Sequence, residues 1–235
     1  MAKGIYVGAG GVARRMKKAY VGVAGKARAV RKMYVGVGNR ARLCYSAEPE
    51  YAGTGVPLAA PKYGAKAATA GNYALIGGGR FAGTASNAVC NTVDAYDTSL
   101  TRTAPAALGD KRHLHSAVPL GAHALFAGGT ATPTARGGHS TVDAYDASLT
   151  KTTVGLLSAA RQPDAVTAGG YAFFAGGDGS STVDVCDASL TRTTLTALSE
   201  ARYSMAAAAV GDYVLFAGGR NTESLYHDTV DVYTI

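Results

Sequence analysis

The sequence predicts an all-β protein: a small β-propeller of about four blades, preceded by short glycine-rich β-hairpins. Three observations carry this. A 14-residue unit recurs three times at the N-terminus. A longer unit with double glycines spaced 51, 48 and 42 residues apart follows it. The composition also fits, with 31 Gly, no Trp and mostly small apolar residues among the 235. Such a chain favours closely packed strands and tight turns over a bulky aromatic core.

Charge divides the chain. Residues 1–46 hold eleven of the 23 Lys/Arg and none of the 16 Asp/Glu, so they carry +11 and the remainder carries −4. This break predicts a boundary near Ser46, with a basic segment over 1–46 and the propeller over 47–235. Tyr6, Tyr20 and Tyr34 lie in register in the short repeats, as do Gly8, Gly22 and Gly36, and Arg14, Arg28 and Arg42. Each unit reads as two strands around a glycine-rich turn. A lone hairpin cannot bury a face, so the three must pack on one another, on another chain or on the second domain. Their charge is evenly spaced, with little aromatic interleaving beyond the three tyrosines. Docking to an acidic partner or oligomerisation is preferred to nucleic-acid binding.

In the long repeat, apolar runs end at "YALIGG" (Gly77, Gly78), "HALFAGG" (Gly128, Gly129), "YAFFAGG" (Gly176, Gly177) and "YVLFAGG" (Gly218, Gly219). Val-Asp pairs begin at Val93, Val142, Val183 and Val230. From each Val-Asp aspartate to the next double glycine is 34, 33 and 34 residues, whereas the stretch before each Val-Asp varies. One part of the unit is therefore rigid and one loop is free. Each unit reads as four strands: Ala-rich, Gly-Gly-ending, "TVDAYD" and a Thr-alternating strand such as "LTKTTVGLL". Four antiparallel strands at this period form a propeller blade. The last copy stops at Ile235. Tyr51–Gly64 resembles Thr191–Ser204 and is expected to supply the missing outer strand.

The apolar run, double glycine, loop, Val-x-x-Tyr-Asp and following basic residue resemble the kelch repeat over residues 57–235. The resemblance implies a kelch-like propeller. One departure stands out: Thr103, Thr152 and Thr193 occupy the place where kelch units carry Trp. Packing between blades is then thinner, with Ala-rich strands allowing closer approach.

The aspartates of the repeats could be metal ligands or turn residues. Asp97, Asp146 and Asp187 each precede a Ser by two residues, which suits an Asx turn. A calcium loop would need more converging oxygen ligands. His113 and His115 fall on one side of a strand, with no third metal ligand evident, and read as surface or packing residues. Cys44, Cys90 and Cys186 have no framework spacing; Cys186 replaces the tyrosine of other copies as a small apolar residue. No metal or cofactor is expected.

Lys62, Arg112, Arg161 and Arg202 precede the Ala-rich strands. By similarity to kelch propellers they lie near the channel mouth, where four cations could hold an anion. The other reading is a carbonyl or Asp contact between blades. The free loops carry Arg80, Phe81, Arg136, His139, Arg220, Asn221, Glu223, Tyr226 and His227. They leave equivalent blade positions, so they gather on one face and suit sugar or protein contact. No copper site, sialidase-type arginine triad or Gly-x-Ser-x-Gly is present, so a non-enzymatic protein is expected.

The "YVG" repeats joined to a kelch-like domain resemble tail-associated proteins of bacteriophages and prophages. The resemblance implies a virion protein assembled in the bacterial cytoplasm. Its partners would be tail or baseplate proteins and a host-surface glycan or protein, and it would act as a homo-oligomer. The chain has no secretory core and no apolar run long enough to span a membrane, so insertion is not expected. An intracellular kelch-type scaffold is the alternative.

Overall fold

A computed structural model describes residues 6–9, 12–15, 19–23, 26–30, 32–37, 40–46, 51–82, 88–132 and 138–235. The chain divides into two compact units, Met1–Thr54 and Gly55–Ile235, eight residues beyond the charge boundary. All regular structure among the described residues is β, in antiparallel sheets of two to four strands.

The first unit holds three hairpins: β1 (Tyr6–Ala9) with β2 (Val12–Arg15), β3 (Ala19–Val23) with β4 (Lys26–Val30), and β5 (Lys32–Val37) with β6 (Arg40–Ser46). Their registers repeat as the sequence does. Val7 pairs with Arg14, Val21 with Arg28 and Val35 with Arg42.

The second unit is built from four sheets. The first contains β8 (Lys66–Ala70), β9 (Tyr73–Gly77), β11 (Val93–Tyr96) and β12 (Arg102–Thr103). A small pair, β7 (Lys62–Tyr63) with β10 (Arg80–Phe81), flanks it. The second contains β13 (Ser116–Leu120), β14 (His123–Ala127), β15 (Val142–Tyr145) and β16 (Lys151–Val154). The third contains β17 (Asp164–Ala168), β18 (Tyr171–Ala175), β19 (Val183–Asp187) and β20 (Arg192–Thr194). The fourth has only β21 (Ala206–Val210), β22 (Tyr213–Ala217) and β23 (Val230–Thr234). Each is a meander in which consecutive strands pair.

Side chains alternate between two faces of each sheet, and the sheets stack face to face in chain order. The front of the first sheet (Ala68, Ala70, Leu75, Val93, Ala95) meets the back of the second (Ala124, Phe126, Tyr145). The front of the second (Val118, Leu120, Leu125, Val142, Ala144) meets the back of the third (Ala172, Phe174, Cys186). The front of the third (Phe173, Ala175, Val183, Val185) meets the back of the fourth (Val214, Phe216). At the second junction small residues face a single large ring, Phe174, whereas the first holds Phe126 and Tyr145 and the third sets Phe173 against Phe216. Fully burying one such phenylalanine contributes roughly 1.5–3 kcal/mol. Leu108, Leu157 and Leu198, on the connections after the fourth strands, plug the same three junctions. Thr103, Thr152 and Thr193 are exposed and pack no junction.

Three details differ from the sequence reading. The left-handed glycine pair of the first repeat is Gly78–Gly79 (φ 63° and 94°), matching Gly128–Gly129 (φ 64° and 85°). Gly77 is a strand residue, small because the Phe126 ring lies against it. Tyr51–Leu58 forms no strand, and β23 has no fourth-strand partner among the described residues. The likeness of this segment to Thr191–Ser204 is nevertheless local and real: Tyr96 Oη donates to Val56 O at 2.9 Å as Tyr233 Oη donates to Thr196 O at 3.0 Å. Finally, His113 and His115 do not share a strand face, because Leu114 between them turns left-handed at φ 53°.

The candidate binding surface and its buried charge

The repeated aspartates fall into two sets. Asp97, Asp146 and Asp187 make turns. Asp97 Oδ1 accepts the amides of Ser99 and Thr101 at 2.8 and 2.9 Å. Asp146 and Asp187 do the same for their own Ser and Thr. The turn closes with Leu100, Leu149 and Leu190 left-handed at φ 60°, 64° and 61°. Such strain on a non-glycine residue is offset only by the bonds around it.

The Val-Asp aspartates bind the four cations that precede the Ala-rich strands. Lys62 Nζ lies 3.0 Å from Asp94, Arg112 Nη2 3.1 Å from Asp143, and Arg161 Nη1 2.8 Å from Asp184. Arg202 Nη2 pairs with Asp231. The cationic ends are buried, at 0–1% exposure. Arg112 also donates to the carbonyls of Phe126, Gly128 and Thr141. Arg202 donates to those of Gly218 and Thr229. Each cation therefore staples the second strand of its sheet to the third. The anion-holding arrangement is not what these side chains form. Their contacts are the carbonyl and Asp partners, and they lie within one sheet rather than between two.

The outer strand adds a second cation in three sheets, close in the first (Arg102 to Asp94 at 2.8 Å) and at longer range in the others (Lys151 to Asp143 at 4.0 Å and Arg192 to Asp184 at 3.9 Å). Burial alone would raise the Asp94 and Asp184 carboxyls. For Asp94, bonds from Lys62, the Ala59 amide and Arg102 outweigh burial and hold the group below the usual carboxylate range. For Asp184, bonds from the Ser158 amide, Thr194 and Arg161 do the same. Burial pulls the Arg112 guanidinium down from its ordinary value, against the charge of Asp143.

The backbone of the same basic residues joins neighbouring sheets. Gly79 N donates to Arg112 O at 2.9 Å, Gly129 N to Arg161 O at 3.0 Å and Gly177 N to Arg202 O at 2.8 Å. These bonds bring the double-glycine ends of successive sheets together, so the described residues that follow them start from one rim.

On that rim, Arg80 lies over the Tyr63 ring at 5.5 Å, and Arg220 over the Tyr203 ring at 4.9 Å. Phe81 is half-buried. His139 approaches Lys111 O at 3.1 Å and Asp110 at 3.5 Å. Asn221 is a turn-former, its Oδ1 accepting the amides of Glu223 and Leu225 at 3.0 Å each. His227 Nδ1 lies 2.6 Å from Glu200. Glu223 and Arg220 are exposed, and Tyr226 stands 83% exposed. Arg136 lies outside the described residues. Thus Arg220, Glu223 and Tyr226 remain presented, whereas Asn221, His139 and His227 shape the loops that carry them.

Among the described residues no group of three or more His, Cys, Asp or Glu is arranged to hold a metal ion. His113 Nδ1 meets Thr130 O at 3.1 Å. His115 is buried at the first junction, its ring 6.0 Å from that of Phe126. Burial and the Arg112 charge push its pKa down to about 3, so it sits there neutral. Cys186 is buried in the second junction, where burial pushes its thiol up to about 11. No helix among the described residues is long and apolar enough to cross a membrane.

Neither the family models nor the curated proteins searched give a match to this chain. Sequence reasoning offered a carbonyl or Asp contact for these cations as its second reading, but placed it between blades and did not name the Val-Asp aspartates as the partners. The signal was there: every repeat that has a Val-Asp aspartate has one basic residue before its Ala-rich strand.

Proposed function

We propose that the second unit is a four-bladed, kelch-like propeller module of a bacteriophage tail-associated attachment protein. The basic N-terminal hairpins dock to tail or baseplate proteins and hold copies together, and the rim loops bind a host-surface glycan or protein. The reading is non-enzymatic, with the protein assembled in the bacterial cytoplasm and carried on the virion. One observation supports it most: Glu223 is exposed on a turn fixed by Asn221, and the exposed Arg220 and Tyr226 pair across the base of that turn. An aromatic face beside an acid and a guanidinium, on a preformed loop, suits a polar ring such as a sugar. Oligomerisation would multiply weak contacts of this kind.

The test is a glycan array with residues 47–235 and with Arg220→Ala and Tyr226→Ala variants, beside purified phage particles probed for the chain. The reading requires retention by a defined glycan or host-surface protein, at least tenfold loss in both variants, and presence in particles. A blank array, absence from particles and specific capture of a cytosolic protein would replace it with the intracellular scaffold.

A further inference from the structure

We propose that the front of the fourth sheet is a docking surface for the first sheet of a second copy of this chain. The argument starts from the three junctions inside the second unit. They share one chemistry, and the chain carries one spare half of it at each end.

At the front, Val93, Val142 and Val183 are buried, but Val230 at the same position is 48% exposed. Ala95, Ala144 and Val185 are buried, but Val232 is 54% exposed. On the inner strand Ala70 and Leu120 are buried, but Val210 is 65% exposed. The fourth sheet thus keeps the apolar residues of a covered front with nothing described over them. The glycine turns between the first two strands agree. A Cβ at Gly71 would lie 2.7 Å from Ala147, at Gly121 3.8 Å from Ala188 and at Gly169 2.9 Å from Ile235, each on the next sheet. At Gly211 it would meet nothing within 4 Å. Gly78, Gly128 and Gly176 abut the carbonyl of the next sheet's basic residue, whereas Gly218 has only His227 O at 3.5 Å.

The matching half is the back of the first sheet. Leu149 and Leu190, the left-handed turn leucines, pack against the front of the sheet before theirs. Leu100, at the same position on the first sheet of the second unit, packs on no earlier sheet of that unit among the described residues and is 59% exposed. Ala124 and Phe126 are buried, as are Ala172 and Phe174, but Ala74 is exposed and Ile76 only half-buried. The occupant is therefore specified by the chain itself: Leu100, Ala74 and Ile76 of one copy seated on Val210, Val230 and Val232 of another. Such a junction is head to tail, so it can close a ring of copies. It takes the place of closure of the four blades within one chain, and is otherwise independent of the attachment reading and of residues 1–46.

The test uses the full chain carrying Cys44→Ser. By the spacing of the internal junctions, Thr98 of one copy falls beside Gly211 of the next. Thr98→Cys and Gly211→Cys proteins are mixed and oxidised. A cross-linked dimer should form at least fivefold more in the mixture than in either protein alone. Adding Val210→Arg to the Gly211→Cys protein should cut it tenfold. Gly121→Cys with Ala188→Cys in one chain is the geometric control, since their 3.8 Å spacing matches a disulfide's Cβ separation. Sedimentation of the disulfide-free chain gives a second reading, with Val210→Arg plus Val232→Arg lowering the mass-average assembly size. The proposal is overturned by no mixed dimer with a working control. It is equally overturned by a bond formed only within a chain carrying both cysteines, or by assembly size unchanged in the arginine variant.

Discussion

Removing the Arg112 charge tests the staple most directly. In Arg112→Met, Asp143 keeps only the Gly109 amide at 2.9 Å and the Thr153 hydroxyl as donors, at 0% exposure. The carbonyls of Phe126, Gly128 and Thr141 lose their guanidinium donor as well. At 3.1 Å the pair's attraction is about 5 kcal/mol for an effective dielectric of ~20. Desolvation offsets much of that in the intact pair; breaking it leaves Asp143 with only the more distant, partly exposed Lys151 as counter-charge, an imbalance of about 3–5 kcal/mol. Arg112→Met should therefore lower unfolding free energy by about 3–5 kcal/mol at pH 7. Adding Asp143→Leu should recover about 2 kcal/mol, because both charges then leave the interior together. Urea unfolding followed by far-UV circular dichroism measures Arg112→Met, Asp143→Leu and the double variant against wild type. A single variant within about 0.5 kcal/mol of wild type, or strictly additive effects in the double variant, would refute the staple.

Three further outcomes follow from the same geometry. His115 binds a proton far more weakly folded (about 3) than unfolded, so stability falls as pH drops below 6.5, by about 2 kcal/mol between pH 7 and pH 5. His115→Phe should flatten that segment of a melting-temperature profile by about one proton's worth, and an unchanged slope would contradict a neutral buried ring. Asp164 has the opposite sign: burial pushes its carboxyl up to about 6, although it accepts the Met205 amide at 2.8 Å. Its contribution is present below pH 3.8 and lost as pH rises through 6. Asp164→Asn should then stabilise by about 2 kcal/mol at pH 8 and hardly at all at pH 3.5. Gly128→Ala and Gly170→Ala both strain a positive φ, but only the first drives a Cβ to 2.3 Å from Arg161 O; the second meets nothing within 4 Å. Chemical denaturation should show a loss of about 1–2 kcal/mol at Gly170 and at least about twice that at Gly128.

Much of this arrangement could be read from residue order. Fixed spacing from Val-Asp to double glycine reflects the last two strands of one sheet, the crossing and the first two strands of the next, and the Asx turns followed from Asp and Ser two apart. The alignment of Tyr and Arg between repeats implied that the hairpins share one register, though not which residues pair across each. What escaped was anything decided across sheets. The sequence shows a basic residue before each Ala-rich strand, but burial depends on the carbonyls of three other segments that converge on it. Gly77 and Gly78 read alike as a double glycine; only the Phe126 ring and the left-handed turn distinguish their roles. The likeness of Tyr51–Gly64 to Thr191–Ser204 has a structural counterpart in the Tyr96–Val56 and Tyr233–Thr196 bonds, which the sequence reading did not name. It overreached in predicting a strand, because strand pairing needs a neighbouring edge and not merely a similar segment. Among the loops, residue type did not separate Tyr226, which is exposed, from Asn221, which is occupied in holding the turn.

The order of the two partners in each staple has a consequence for synthesis. Arg112, Arg161 and Arg202 precede their aspartates by 31, 23 and 29 residues. On a growing chain the cation always emerges first and must stay hydrated until its carboxylate is made. No sheet can bury its basic residue before its third strand has left the ribosome. Each repeat thus carries a built-in delay against premature collapse of its own Ala-rich strand. The double glycine of one repeat likewise waits for the basic residue of the next. A chain halted partway would end in a hydrated, unlocked hairpin behind a row of finished sheets.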